Sequence, residues 1–379
     1  MTGFFTAPRI AWGTGAIEQL SGLSARKAVV VVDPALAPRD FPKRVVEELK
    51  KSETSVELLP APEVPDSTPG VERLAERLRA HGPDWIVAVG GGRTIDGAKA
   101  ARLLLERPGV TLGTVTPLLD LPDPFRARLA AVPTTSGSGS EASGTVDLWT
   151  ADGVPFEIAH RALTPDWALV DPASAASLSA ELLLDGALET AAQAFEAYLS
   201  AWSNPYSDAL AVDAFTTVLA RLPHALRWSD DPDAKAALHY AATAAGLASS
   251  NAQRGVGHAL ARALVRPTDR SYGRLLGLLL PHLLEFDRPS ARERIEALSA
   301  ATNREENGSR VPLPNRLARL YDTFQVPGTL AAAGVDRPRV EAARTAIVSN
   351  ALRSPAVLAN PRVPSAADLE GLLDRLLGG

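Results

Sequence analysis

A chain of 379 residues, 46% hydrophobic and 22% charged, has room for two domains with their own cores and the composition of an ordinary globular protein. Its net charge of −5 argues against a nucleic-acid binder, which shows a basic footprint, and with no cysteine it has no disulfide, thiolate metal site or thiol nucleophile. No apolar run reaches the ~18 residues needed to span a bilayer. Met1-Thr2-Gly3-Phe4-Phe5 has neither the basic start nor the apolar stretch of a secretory leader, so the expected setting is the cytoplasm, with neither nucleic acid nor membrane as a partner.

Ala28 to Val32 is a β-branched run that reads as a buried strand, and Asp33 follows it directly. Phe41 to Lys51 and Val71 to Ala80 space their apolar residues at three and four, as helices do, with a proline-rich loop from Pro60 to Pro69 between them. Trp85 to Val89 is a second buried strand. It breaks into Gly90-Gly91-Gly92-Arg93-Thr94-Ile95-Asp96-Gly97-Ala98-Lys99, three glycines that pass into helical character. A Gly-rich turn between strand and helix places the pyrophosphate of a dinucleotide at the positive end of the helix dipole. A third strand over Leu129 to Val132 leads into Pro133-Thr134-Thr135-Ser136-Gly137-Ser138-Gly139-Ser140-Glu141, whose N–H groups and hydroxyls can converge on a phosphate. Strands alternating with helices predict a parallel sheet covered on both faces. From Ser174 onward Ala, Leu and Arg dominate and helical spacing persists, as in Ala187 to Trp202, Ser207 to Leu222, Ala234 to Ser249 and Arg274 to Leu284. The expected architecture is a Rossmann-like α/β domain over 1–172 followed by an all-helical bundle over 173–379.

The strings Gly-Gly-Gly-x-x-x-Asp-x-Ala-Lys (90–99) and Pro-Thr-Thr-x-Gly-x-Gly-Ser-Glu (133–141) resemble those of the iron-containing (group III) alcohol dehydrogenases, a superfamily that also holds glycerol dehydrogenases, maleylacetate reductases and, more distantly, dehydroquinate synthases. The likeness runs nearly end to end. It includes Trp12-Gly13-Thr14-Gly15-Ala16, Leu169-Val170-Asp171-Pro172, Glu196-Ala197-Tyr198, Asn204-Pro205-Tyr206-Ser207-Asp208-Ala209 and Asn360-Pro361-Arg362. It implies a nicotinamide cofactor, NAD or NADP, and a homodimer. Asp33 favours NAD, because an acid after the first strand can bond the adenosine ribose and repel a 2′-phosphate; it can also be read as a helix cap before Pro34. Gly91 and Gly92 would admit the pyrophosphate, and Thr134, Thr135 and Ser138 would bond phosphate or nicotinamide. Asp96 and Lys99 match the family's Asp and Lys, although their spacing also suits a surface i, i+3 pair. Arg93 stands where the family has a small serine, and brings a cation close to the phosphates.

The resemblance fails at the metal. Relatives that bind iron or zinc carry an Asp and a His four residues apart on one helix, which stack on one face, and two more histidines downstream. Here those positions hold Glu189, Gln193, His258 and Tyr272. A Gln carbonyl is a poor ligand for a divalent transition metal and a phenol is neutral near pH 7, so no bound metal is expected. A metal-free polar pocket would leave His258, or else Tyr272, to exchange a proton with the substrate oxygen; the plainer alternative is a buried histidine beside a packed tyrosine.

The expected activity is interconversion of an alcohol and a carbonyl compound, small-molecule or peptide, by an NAD(P)-dependent oxidoreductase without catalytic metal. A natural-product route is a narrower possibility, since the dehydrogenases of daptide-type peptide biosynthesis belong to this superfamily. Two alternatives remain. One is a dehydroquinate synthase-type lyase, disfavoured because the helical half holds only Lys235 where such enzymes need a lysine-rich phosphate pocket. The other is a non-catalytic dinucleotide-binding scaffold for a partner enzyme.

Overall fold

The computed structural model describes residues 4–121, 124–228, 231–303 and 311–378. The chain forms two compact units, Met1–Ser179 and Ala180–Gly379.

The first unit is built on strands β1 (Arg9–Trp12), β2 (Lys27–Val32), β3 (Ser55–Pro60), β4 (Trp85–Gly90), β5 (Arg128–Pro133), β6 (Thr145–Trp149), β7 (Pro155–Ala159) and β8 (Trp167–Val170). Its helices are α1 (Asp40–Lys50), α2 (Thr68–His81), α3 (Gly92–Glu106) and the short α4 (Pro172–Ala175). Six strands make one parallel sheet in the order β1-β8-β5-β4-β2-β3, and β6 and β7 pair as a separate antiparallel ribbon. The continuous apolar runs of β2, β4 and β5 follow from burial on both faces. Val29, Val31, Ile86, Ala88, Leu129 and Ala131 point into a core shared with α2 and α3. Their alternates, including Val30, Val32, Val87, Val89 and Val132, meet Ile17, Leu20, Val45 and Leu49 on the opposite face.

From β2 the chain crosses to β3 on one side, and from β4 to β5 on the other. The direction therefore reverses between β2 and β4, and in open α/β sheets the crevice beyond the carboxyl ends of such strands is where ligands bind. Asp33 sits there, its N–H donating to Val89 O at 2.9 Å.

The second unit holds α5 (Ala180–Leu199), α6 (Pro205–Arg227), α7 (Pro232–Ala252), α8 (Val256–Thr268), α9 (Tyr272–Ala301), α10 (Leu313–Phe324), α11 (Arg337–Ala342), α12 (Arg344–Arg353), α13 (Ala356–Ala359) and α14 (Ala366–Leu377). Helix α5 is apolar nearly all round and packs against α6, α7, α8 and α9, which makes it the axis of the bundle. Among the described residues no helix is long and apolar enough to cross a membrane.

Two of the strings that carried the resemblance are structural ties. Asp171 caps α4 by accepting the Ala173 N–H, and its other oxygen accepts the Gly15 N–H, binding the opening segment to the end of β8. Asn204 accepts the N–H groups of Tyr206 and Ser207 at the head of α6, and the Ser207 hydroxyl accepts the Asn204 N–H, which is a capping box.

Candidate active site

The two glycine- and hydroxyl-rich strings meet at the head of α3. Paired strands β4 and β5 end side by side, Gly90 opposite Pro133, and Thr134 N–H donates to Gly90 O at 3.0 Å. A Cβ on Gly91 would lie 3.2 Å from the Thr135 side chain, and one on Gly92 would lie 2.8 Å from Ser138. Only glycine lets these two turns close on each other. Gly91 is the N-cap of α3 with no side-chain cap, and no acid occupies the first turn. The first N–H groups of the helix and its positive dipole end are thus left for an anion.

Asp33 closes a local turn, while α1 starts only at Asp40 with Arg39 as its N-cap, so the helix-cap reading is not what this residue does. Its Oδ1 accepts the Ala35 N–H at 2.9 Å, a local turn, while its position at the reversal between β2 and β4 suits a ribose contact. Arg93 departs from expectation. Its Nε and Nη2 both donate to Asp66, each at 2.9 Å, so the guanidinium is turned onto a carboxylate and not onto the phosphate position. That bond pushes Arg93 further above the ordinary arginine range; burial opposes this, and the charges of Asp66 and Asp33 add to it.

Asp96 and Lys99 are not a surface pair. Lys99 has no exposed surface, and its ammonium donates to Asp96 at 3.2 Å and to Thr145 O at 3.1 Å. The second Asp96 oxygen accepts the Asp147 N–H at 3.1 Å. Together they pin the β6–β7 ribbon to α3, and burial raises the Asp96 pKa despite the adjoining lysine. Their burial rules out the surface-pair reading and makes them a tie between α3 and the ribbon.

In the helical unit, Glu189, Gln193 and Glu196 share one face of α5 at helical spacing. His258, in the first turn of α8, lies edge-on to the Tyr272 ring with centroids 5.8 Å apart. The head of α9 is close to Glu189: a Cβ on Gly273 would stand 3.3 Å from that of Glu189. The expected convergence of four side chains is only partial. Gln193 is buried and donates to Ser249 on α7 at 2.7 Å, and the Tyr272 hydroxyl donates to the backbone carbonyl of His258 at 3.3 Å. Among the described residues, no group of three or more His, Asp or Glu side chains is placed to hold a metal.

The residue that sequence reasoning missed is Glu196. One of its oxygens bonds His258 Nδ1 and the other accepts the Gly257 N–H at 2.5 Å. A Cβ on Gly255 or Gly257 would come within 2.9 Å and 2.7 Å of that carboxylate, so both positions require glycine. Burial pushes the Glu196 pKa up, but the imidazole and the N–H groups of Gly255 and Gly257 outweigh it and hold the carboxyl below its ordinary range. Asn360 completes the network: its Oδ1 accepts the Val256 N–H at 3.1 Å and its Nδ2 donates to Asp287 at 2.7 Å. Two strings noted in the sequence for likeness alone, at 196 and 360, therefore form one buried cluster with the Gly255-Val256-Gly257-His258 turn that carries the candidate histidine. Their signal was the pairing of an acid with a Gly-x-Gly-His turn, and only the fold could supply it.

Asp287 is pushed up to about 7, chiefly by burial, with the Glu196 charge adding and the Asn360 bond opposing. A carboxyl with a raised folded pKa contributes stability below its ordinary value of 3.8, and loses it as pH rises through about 7. Asp287→Asn should remove this dependence. Between pH 5 and pH 8, urea melts of the wild-type protein should show a loss of up to about 3 kcal/mol, while the variant stays nearly level.

Two family models match the chain: iron-containing alcohol dehydrogenase over residues 7–172, and the C-terminal domain of the same family over 184–377. The NADPH-dependent butanol dehydrogenase of Clostridium saccharobutylicum is 30% identical over 374 residues, 94% of each chain. The NAD-dependent methanol dehydrogenase of Bacillus methanolicus is 25% identical over the full length of both. Among solved structures, the iron-containing alcohol dehydrogenase of Thermococcus thioreducens superposes over 100% of both chains with a TM-score of 0.89 at 26% identity. Sulfoacetaldehyde reductase from Bifidobacterium kashiwanohense, solved with NAD+, shares the fold at a TM-score of 0.84 and 20% identity over 99% of each chain. With both units matched and the sheet, glycine turns and helical bundle in place, the chain belongs to the iron-containing alcohol dehydrogenase family and is an oxidoreductase of the alcohol dehydrogenase type.

Proposed function

We propose that this protein interconverts an alcohol and a carbonyl compound with a nicotinamide cofactor, NAD(H) in preference to NADP(H), and that it does so without a catalytic metal. The carrying observation is the donor set at the family's metal positions. Glu189, Gln193, His258 and Tyr272 offer one imidazole; the Gln193 amide is tied to Ser249, and the phenol donates to a backbone carbonyl. Fe²⁺ and Zn²⁺ prefer several imidazole or carboxylate ligands, and this set does not fit them.

A bound nicotinamide supplies or accepts the hydride. The head of α3, with Gly91, Gly92, Thr135 and Ser138 around it, would hold the pyrophosphate, and Asp33 the adenosine ribose. Charge on the substrate oxygen then needs a proton partner. His258 suits that task because an imidazole can both accept and donate a proton, and Glu196 fixes its ring by Nδ1. The imidazole is fully buried, so a substrate reaches it only by displacing what covers it, and the same burial keeps bulk water from competing.

The test is reduction of a panel of aldehydes by NADH and NADPH, before and after chelation, with elemental analysis of the same sample. Turnover that survives chelation in protein with little iron or zinc supports the reading. Close to one metal per chain, removed together with activity, would overturn it. Tight NADH binding without turnover on any substrate would favour the scaffold.

A further inference from the structure

Three charged groups stand at the carboxyl ends of three neighbouring or crossing strands. Asp33 follows β2, Asp66 lies in the loop after β3, and Arg93 is in the first turn after β4. The Arg93–Asp66 pair is lopsided: the arginine side chain is 61% exposed and the aspartate 3%. Asp66 is the fixed partner. Its carbonyl accepts the Trp149 N–H at 2.9 Å, and the next residue, Ser67, bridges to Trp149 and caps α2. Arg93 is the exposed partner, a long side chain held by two charge-assisted bonds.

We propose that Asp66 is a specificity-determining residue, which locks Arg93 out of reach of a nucleotide 2′-phosphate and so enforces the use of NAD(H).

The lock works through charge. A paired Arg93 and Asp66 are together neutral, so the charge facing the adenosine ribose is that of Asp33, which repels a 2′-phosphate. Released, Arg93 would offer its planar fork, the side chain best matched to a phosphate, in the same neighbourhood. Arg93 is close enough to Asp33 for the two charges to interact. A cation that could rescue NADP(H) binding is therefore present but held by a buried carboxylate. This inference rests on the nicotinamide reading above.

The test needs no substrate. NADH and NADPH are titrated by fluorescence against the wild-type protein and the variants Asp66→Asn, Arg93→Ser, Asp66→Asn/Arg93→Ser and Asp33→Ala, with thermal midpoints to report folding. Asp66→Asn keeps the shape and removes the charge. It should shift the ratio of the two dissociation constants toward NADPH by about 10–100-fold, the scale of a charged hydrogen bond. The double variant should lose that shift, and Arg93→Ser alone should not move the ratio toward NADPH, because it removes the latent cation and leaves the Asp66 carboxylate uncompensated. An unchanged ratio in Asp66→Asn, or a shift that persists in the double variant, would sink the lock. A shift toward NADPH in Arg93→Ser would do so even if Asp66→Asn fails to fold. Failure of the wild-type protein to bind either nucleotide would overturn the nicotinamide reading and the lock with it. A wild-type preference for NADPH, or an Asp33→Ala variant with unaltered selectivity, would remove Asp33 as the repelling charge and overturn the lock while leaving the nicotinamide reading intact.

Discussion

His258→Ala should lower turnover by about 10²–10⁴, the usual worth of a positioned acid or base, while NADH affinity changes little. The two effects separate because the groups assigned to the cofactor, from Asp33 to Ser138, belong to the first unit and His258 to the second. Stopped-flow turnover and a fluorescence titration of NADH on the same preparation would measure both. A variant with full turnover would remove His258 from the chemistry and leave Tyr272 as the remaining donor beside it.

Glu196→Ala should destabilise the protein by about 3–5 kcal/mol, the cost of breaking a buried ion pair by removing one partner. The carboxylate bonds His258 and the backbone of the α8 turn, and alanine would leave those buried donors without their acceptor. Glu196→Gln is the informative companion. It preserves shape, but its amide would donate to Nδ1 and move the ring proton to Nε2, so turnover should fall toward that of His258→Ala with much less loss of stability. The acid limb should change too. Because the folded pKa of Glu196 lies below its ordinary 4.5, its stabilisation is complete above that value and is lost as pH falls through the folded one. Denaturation curves from pH 6 to pH 3 should flatten in the Gln variant, and curves parallel to wild type would count against the ion pair.

Strands β2, β4 and β5 were legible because burial on both faces writes an unbroken apolar run. Strands β1 and β3, at the sheet edges, bury fewer side chains and left no such mark, and the β6–β7 ribbon was missed altogether. Asp96 and Lys99 show how spacing misleads. An i, i+3 acid and lysine look the same in sequence whether solvent or a ribbon lies over them, and here the ribbon does. Glu196 was illegible for the opposite reason. Its partners lie 62 residues away at His258 and, through the Gly255–Val256 turn, at Asn360, and no local pattern joins them. The two glycine- and hydroxyl-rich turns were readable as strings, while their mutual contact through Gly92 and Ser138 belongs to the pairing of β4 with β5.

The order of the sheet also governs how the first unit can be made on the ribosome. Strand β1 pairs only with β8, Arg9 opposite Trp167, and β8 in turn lies between β1 and β5. The first strand to leave the ribosome must wait for the last, which then inserts as an interior member. At about 5–20 residues per second, the 158 residues from Arg9 to Trp167 (167 − 9) correspond to roughly 10–30 s of synthesis. From the synthesis of β5 (Arg128–Pro133) until β8 arrives, the nascent sheet presents the unpaired edge of β5, the kind of surface that attracts other chains. Demand for chaperones should therefore peak late in translation of this unit and end when β8 closes it.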